Sequence, residues 1–178
     1  RMDANCWYVL YGDMGTDITE EYGSSVKYDS NDNIYVIGGE GLTGQNMFLV
    51  KYDPTGNIVW QKDYSIVGSY YRSGDAVEID NDNNLYIIIN VEDVVSKIIL
   101  AKLDANANII WQRTIDQSST DGGYALTLDK DNYNLYVCGS TITLGDEKGF
   151  IAKYSNTGNL IWQRTLSSLY EDKFLAVG

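Results

Sequence analysis

Short apolar runs alternate with clusters of Asn, Asp and Gly along almost the whole chain. Runs of this length, enriched in β-branched and aromatic residues, predict strands. No apolar period of 3.6 residues persists for three helical turns, so we expect little helix. The pattern predicts an all-β chain, with strands in its middle part at 75–79, 85–91, 98–103 and 109–115.

A block of roughly fifty residues occurs three times in the sequence. Its clearest line reads VKYDPTGNIVWQKDY at 50–64, AKLDANANIIWQRTI at 101–115 and AKYSNTGNLIWQRTL at 152–166. A fixed period of this length is typical of stacked repeat architectures, because one unit cannot bury its own apolar face. We therefore expect several similar units packed side by side.

A tryptophan and a lysine keep a spacing of 51 residues through the repeat. They are Trp60, Trp111 and Trp162, and Lys51, Lys102 and Lys153. A residue that recurs in every unit is expected to have the same structural role in each unit. We expect the tryptophans to fill the space between neighbouring sheets rather than to bind a ligand, and the lysines to satisfy polar groups or lay their stems along the rings.

Each unit contains four predicted strands joined by turns rich in Asn, Asp and Gly, residues that tolerate positive φ. Four antiparallel strands per repeated unit predict the blade of a β-propeller. The fold expected over 1–178 is one propeller segment, with blades at 23–66, 74–116 and 123–167 and single strands at 7–11 and 172–178. Because propellers need at least about four blades, we expect other blades of a longer chain, or other subunits, as partners.

The repeat resembles the SBBP-type β-propeller repeats of bacterial surface proteins, and similar repeats occur in structural and tail-associated proteins of phages. The shared pattern is Asp-x-x-Gly-Asn-hydrophobic-x-Trp. Its Asp-x-x-Gly-Asn turn is intact at 53–57, lacks Gly at Ala107 and lacks Asp at Ser155. The resemblance implies a blade fold and an extracellular location on a cell or virion surface. It implies no common catalytic residue.

Charge narrows the range of partners. The chain has 13 Lys and Arg against 25 Asp and Glu, a net charge of −12, and no histidine. This charge disfavours nucleic acid and anionic lipid as partners, and the lack of histidine excludes a Ser-His-Asp triad. No apolar run approaches the roughly 20 residues that a membrane helix needs. For Cys6 and Cys138, we favour a buried free thiol over a disulfide.

Several turns imitate the opening of a calcium loop, in which oxygen ligands fall at alternate positions. A complete loop also needs Gly at its sixth position and a bidentate Glu at its twelfth, and the three copies do not supply them. We therefore expect hairpin turns and no cofactor, with calcium as the alternative. The candidate residues are Asp29, Asp80, Asp82, Asp129 and Asp131.

A binding site is expected to break the repeat rather than obey it. Loops on a rigid scaffold concentrate such residues, and the non-repeating segments are 12–22, 39–46, 66–73, 91–97, 116–123 and 141–149. Within them Tyr70, Tyr71 and Arg72 combine large contact area with polar groups. We predict that this triplet contacts a surface glycan or a protein.

Two classes of propeller enzyme are the alternative. The segment 103–111 is similar to the tryptophan-docking segment of quinoprotein dehydrogenases, but the vicinal cysteine pair of those enzymes is absent. The segment 155–162 departs from the sialidase box at Thr157 and Asn159. We therefore expect a non-catalytic scaffold and recognition module rather than a quinone-dependent or glycoside-hydrolysing enzyme.

Overall fold

The computed structural model describes residues 21–40, 46–65, 71–92, 95–115, 120–143 and 145–166. These residues form three antiparallel sheets of four strands, each in sequence order, which confirms the all-β class. No helix in these ranges is long and apolar enough to cross a membrane. The strands are β1 (Glu21–Tyr28), β2 (Ile34–Glu40), β3 (Asn46–Tyr52), β4 (Ile58–Ser65), β5 (Tyr71–Ile79), β6 (Leu85–Glu92), β7 (Lys97–Leu103), β8 (Ile109–Ile115), β9 (Thr120–Leu128), β10 (Leu135–Thr143), β11 (Asp146–Tyr154) and β12 (Leu160–Thr165).

The strands extend into segments that the sequence predicts as loops. The backbones of Tyr71 and Arg72 pair with Glu92 and Val91, so the predicted loop at 66–73 is wrong for its last residues. The reason is that a β-ladder joins backbone groups, and polar or glycine residues continue it when the partner strand is long enough. The predicted single strands at 7–11 and 172–178 lie outside the described residues.

In every sheet, the turn between the first two strands and the turn between the last two strands lie at the same end, which we call the turn end. Each tight turn places one residue in the left-handed region, as the Asn, Asp and Gly content predicts. These residues are Asp32 (φ 61°), Gly56 (φ 87°), Asn83 (φ 62°), Ala107 (φ 60°) and Gly158 (φ 79°). The turn between β9 and β10 is one residue longer than its two equivalents, and there Tyr133 has a φ of 52°.

Apolar side chains on facing sheets form two main cores. The first core contains Tyr35, Ile37, Met47 and Leu49 of the first sheet and Leu85, Ile87, Ala101 and Leu103 of the second. The second core contains Tyr86, Ile88, Ile98 and Leu100 of the second sheet and Leu135, Val137, Phe150 and Ala152 of the third. Because neighbouring residues of a strand point to opposite faces, the second sheet is buried on both faces.

The first strand of each sheet lies next to the first strand of the following sheet, with β5 in contact with both β1 and β9. Lys27 of β1 forms an ion pair of 2.7 Å with Glu78 of β5. Glycine permits β5 and β9 to approach the second strand of the preceding sheet, because a Cβ on Gly74 would lie 2.3 Å from Cγ1 of Ile37 and one on Gly123 would lie 2.9 Å from Cγ2 of Ile88. The fourth strands lie on the outside, and most residues of β8 and β12 are exposed.

Candidate functional site

A polar cleft opens between the second and third sheets, at the end of the sheets opposite the turn end. Its volume is about 210 Å³, below the 300–1,000 Å³ of sites that hold drug-sized ligands. The residues that line it come from the first two strands of both sheets, from Ser96 before β7 and from the start of β11. They include Ser73, Asn90, Glu92, Asp121, Tyr124, Ser140 and Glu147.

Asn90 joins the two sheets at the back of the cleft. Its Oδ1 accepts a hydrogen bond of 2.8 Å from the backbone N–H of Gly123, and its Nδ2 donates one of 2.8 Å to the carbonyl oxygen of the same residue. The equivalent positions of the other sheets hold Gly39 and Ser140. The amide side chain therefore occurs only at the boundary that carries the cleft.

Asp75 lies behind Asn90 at a bulge, where the register of β5 and β6 shifts. Its Oδ2 accepts hydrogen bonds of 2.6 Å from Oγ of Ser73 and 2.8 Å from Nδ2 of Asn90. Burial raises the pKa of Asp75 above its ordinary value, because removal from water penalises the charged carboxylate. The hydrogen bonds from Ser73 and Asn90 offset part of this penalty.

The third sheet contributes a buried carboxylate and a tyrosine. Oδ1 of Asp121 accepts a hydrogen bond of 2.6 Å from Oγ1 of Thr141, and Asp121 is only 4% exposed. Tyr124 is the extra residue of the bulge in β9, and its hydroxyl lies 2.7 Å from Oγ of Ser140. The bulge turns the aromatic side chain toward the cleft, as bulges often do beside binding sites.

The cleft has an acidic character. Its lining includes the carboxylates of Glu92, Asp121 and Glu147, and the described residues supply no lysine or arginine to it. Hydroxyl and amide groups make up much of the remaining polar surface. The site is therefore chemically suited to a ligand with several hydroxyl or amine groups and unsuited to an anion.

The predicted binding triplet falls only partly within the described residues. Tyr70 lies outside them, and so do the side chains of Tyr71 and Arg72. The backbone of Tyr71 and Arg72 pairs with Glu92 and Val91, two residues that line the cleft. The start of β5 is thus placed at the same end of the sheets as the cleft.

The aspartates considered for calcium close the hairpin turns. Oδ1 of Asp80 accepts hydrogen bonds from the backbone N–H of Asp82 and Asn84, and its Oδ2 lies 3.1 Å from Nζ of Lys102. Burial raises the pKa of Asp80, but the hydrogen bonds from Asn84 and the nearby ammonium of Lys102 outweigh burial and leave the pKa below its ordinary value. An ammonium group in this position opposes a second cation.

The first and third copies of this turn differ from each other. Asp29 accepts hydrogen bonds from Asn33 and Tyr35, and Lys51 lies 3.6 Å from its Oδ2. Burial raises the pKa of Asp29, and these hydrogen bonds with those of the turn backbone lower it overall. In the longer third turn, the backbone N–H of Asp131 donates to Oδ1 of Asp129 at 2.9 Å. No group of three acidic or cysteine side chains in the described ranges is placed to share a metal ion.

The repeated tryptophans and lysines lie toward the turn end, away from the cleft. Each tryptophan meets the tyrosine of the second strand edge to face, with ring centroids 6.0–6.3 Å apart. Each lysine lies over the same tyrosine ring at 4.7–5.0 Å. The tryptophans are Trp60, Trp111 and Trp162, and the lysines are Lys51, Lys102 and Lys153.

Cys138 is buried in the third sheet and forms no disulfide within the described ranges. Burial raises its pKa, because the thiolate loses hydration. Cys6 lies outside the described residues. The thiol is therefore a packing residue without the low pKa that reactive cysteines have.

No protein-family model matches the sequence, and no curated protein matches it. A solved structure described as a protein of unknown function from Bacteroides caccae is similar over 89% of this chain and 70% of that chain. The two are 10% identical, and the TM-score is 0.34. A similarity at this level supports no conclusion about fold or function.

The sequence does not single out Asn90, Asp75 and Tyr124 as site residues, whereas Asp121 lies in the non-repeating segment 116–123. Most of the lining lies in the non-repeating segments 66–73, 91–97, 116–123 and 141–149, where a binding site is expected from the repeat, including Ser73, Glu92, Asp121 and Glu147. A usable signal exists, because Asn90 aligns with Gly39 and Ser140, and Asp75 aligns with Ser24 and Tyr124. Departures from the repeat within strands therefore add Asn90, Asp75 and Tyr124 to the residues that the non-repeating segments indicate.

Proposed function

We propose that the chain forms three blades of a β-propeller and acts as a non-catalytic recognition module that binds one sugar unit of a glycan. The cleft between the second and third sheets is the proposed binding site. The observation that carries the proposal is that the repeat breaks at this cleft. Ser73, Asn90 and Tyr124 line it, and each differs from its equivalents in the other sheets.

The chemistry of the lining favours a sugar. Hydroxyl, amide and carboxylate groups can exchange hydrogen bonds with several sugar hydroxyls, and Tyr124 adds an aromatic surface with a polar tip. The volume of about 210 Å³ suits one small polar unit rather than a large ligand. The carboxylates of Glu92, Asp121 and Glu147 favour a neutral or amine-bearing sugar over an acidic one.

The arrangement of the sheets supports the propeller assignment. In a propeller, blades of four antiparallel strands surround a central channel. Here β1, β5 and β9 are neighbours, and successive sheets pack face to face through equivalent residues. The extracellular location, on a cell or virion surface, rests on the resemblance of the repeat to surface-protein repeats.

The hydrogen bonds of two buried carboxylates support the non-catalytic assignment. Asp75 accepts hydrogen bonds from Ser73 and Asn90, and Asp121 accepts one from Thr141. Both groups therefore take part in holding strands together. A glycoside hydrolase would instead need one carboxyl group as acid and another as base or nucleophile on the substrate.

A titration of the protein with neutral, amine-bearing and acidic monosaccharides tests the proposal. We expect saturable heat for a neutral or amino sugar, at least ten-fold weaker binding by Asp121→Asn and Tyr124→Phe, and no change by Tyr28→Phe, whose side chain is 75% exposed on β1. Binding that survives both cleft substitutions would place the site elsewhere. Hydrolysis of an oligosaccharide that Asp121→Asn abolishes would make the chain an enzyme.

A further inference from the structure

Two residues on the face of the third sheet that points away from the second sheet are less buried than their equivalents, whereas Cys138 on the same face is buried as Ile37 and Ile88 are. We define this face by Tyr136, Ile151, Trp162 and Arg164 and call it the outer face. At the positions of Tyr136 and Ile151, the first sheet has Tyr35 and Leu49 and the second has Tyr86 and Leu100, all with 0% exposure. Tyr136 and Ile151 are only half-buried. The next sheet covers the equivalents of these residues.

The contact between the second and third sheets shows how such a face is filled. Nε1 of Trp111 donates a hydrogen bond of 3.0 Å to the carbonyl oxygen of Asn156. Nε of Arg113 donates to the carbonyl oxygen of Gly158 at 2.9 Å, and its Nη2 donates to that of Thr157 at 3.3 Å. The second sheet thus binds the backbone of the turn between β11 and β12.

The contact between the first and second sheets repeats this arrangement. The hydroxyl of Tyr64 donates to the carbonyl oxygen of Ala107 at 3.1 Å, and Nζ of Lys62 lies 3.5 Å from the same atom. Ala107 is 4% exposed and belongs to the same core as Trp60. A cation two residues after the tryptophan therefore binds the following turn at both described contacts.

The outer face holds the same donors in the same arrangement. Nη1 of Arg164 donates to the carbonyl oxygen of Gln163 at 2.7 Å, as Nη1 of Arg113 does to that of Gln112. The guanidinium carbon of Arg164 lies 5.9 Å from the ring centroid of Trp162, and the matching distance for Arg113 is 5.6 Å. Within the described ranges, neither Nε1 of Trp162 nor Nε or Nη2 of Arg164 donates a hydrogen bond.

We propose that the outer face binds the hairpin turn of a further repeat sheet, with the turn pattern Asp/Ser-x-x-Gly/Ala-Asn. Carbonyl groups of that turn would accept hydrogen bonds from Trp162 and Arg164. Where that turn has glycine, its left-handed residue would lie against the Trp162 ring, as Gly158 lies against Trp111, where an added Cβ would be 2.9 Å from the ring.

The first sheet of a second copy is not the occupant. Its turn carries Gly56, which is already buried, and the face beside that turn carries Phe48 and Val50, which are 4% and 0% exposed. A turn that is already covered cannot also fill the outer face. The partner is therefore a repeat sheet other than the first sheet of this chain. The interaction is independent of sugar binding in the cleft.

A cyclic hairpin peptide with the sequence of residues 152–163 is the probe, because the structure shows the turn of this segment bound to Trp111. Its hairpin fold is first verified by NMR. The unlabelled peptide is then titrated into protein with ¹⁵N-labelled indole groups. We expect the indole signal of Trp162 to shift with saturation at millimolar peptide, while those of Trp60 and Trp111 stay in place.

Two matched controls make the result specific. Arg164→Ala should weaken peptide binding at least five-fold, and Arg164→Lys should retain most of it, because Lys62 holds the equivalent place in the first sheet. The peptide with Gly158→Val should not bind. An unmoved Trp162 signal, equal binding of the two peptides, or self-association through Trp162 that the peptide fails to block would each overturn the proposal.

Discussion

The side-chain amide of Asn90 and the backbone of Gly123 exchange two hydrogen bonds of 2.8 Å across the boundary between the second and third sheets. At this point the two hydrogen bonds take the place of the backbone hydrogen bonds that two adjacent strands of one sheet would form. The amide is also within 2.8 Å of Asp75, so one residue fixes both the boundary and the back of the cleft. The cleft thus depends on a residue that the other two sheets lack.

Asn90→Ala should destabilise the protein by about 1–3 kcal/mol, because it leaves the N–H and carbonyl of Gly123 without partners in a buried place. Urea unfolding followed by circular dichroism measures the change. The exposed Asn106→Ala serves as the control and should stay within about 0.5 kcal/mol of the wild type. If Asn90→Ala lowers the free energy of unfolding no more than the control does, the hydrogen bonds between Asn90 and Gly123 contribute little to stability.

Asp75→Asn should alter the pH dependence of stability. The folded pKa of Asp75 is raised above 3.8 by burial, so its contribution to stability is fully present below pH 3.8 and is lost as pH rises through the folded pKa. The amide that replaces the carboxyl group carries no charge at any pH and retains an oxygen for Ser73 and Asn90. The stability of the variant relative to the wild type should therefore be greater at pH 7 than at pH 3.

Free energies of unfolding from urea titrations at the two pH values test this expectation. The exposed Asp82→Asn reports the general effect of removing one negative charge from an acidic protein. A pH-dependent difference of equal size in both variants would mean that the burial of Asp75 is not its cause.

Trp60 and Trp111 should respond differently to replacement by phenylalanine. Nε1 of Trp111 donates to Asn156, whereas the buried Nε1 of Trp60 has no hydrogen-bond partner among the described residues. Both substitutions remove similar apolar area, but Trp60→Phe also removes an unsatisfied buried donor. We expect Trp111→Phe to cost about 1–2 kcal/mol more than Trp60→Phe in urea unfolding. Equal losses of stability in the two variants, or a larger loss from Trp60→Phe, would contradict the different hydrogen bonding of the two indole groups.

The sequence predicts the repeated features because they follow local rules. Alternating apolar positions and turn residues give the strand order, and the positive φ of Asp32 and Asn83 follows from residue types that tolerate it. The spacing of Trp60, Trp111 and Trp162 predicts equivalent units. These features depend on residues close in sequence and on the burial of one face per strand.

The cleft cannot be predicted in the same way. Asn90 and Gly123 are separated by 33 residues, and their contact depends on how two sheets meet. The bulge that exposes Tyr124 arises from the register of β9 against β10, which the side-chain pattern of one strand does not specify. The predicted triplet Tyr70, Tyr71 and Arg72 stays a prediction, because their side chains lie outside the described residues.

Gly158 and Ala107 occupy equivalent turn positions with φ of 79° and 60°. Gly158→Ala should cost about 1–5 kcal/mol, since the left-handed conformation costs about 1–2 kcal/mol and a crowded Cβ about 1–3 kcal/mol, less about 0.4–1 kcal/mol from a stiffer unfolded chain. The term for crowding applies at this site because the added Cβ would lie 2.9 Å from the Trp111 ring.

The reverse change, Ala107→Gly, should leave the free energy of unfolding within about 1 kcal/mol of the wild-type value. Glycine adopts the left-handed conformation without strain, but the variant loses a buried methyl group, about 0.8 kcal/mol, and has a more flexible unfolded chain. Thermal and urea unfolding of both variants measure the contrast. Equal and opposite effects would mean that φ alone governs the two turns. A large loss from Gly158→Ala beside a small change from Ala107→Gly would instead show that the tryptophan of the preceding sheet selects glycine at this turn.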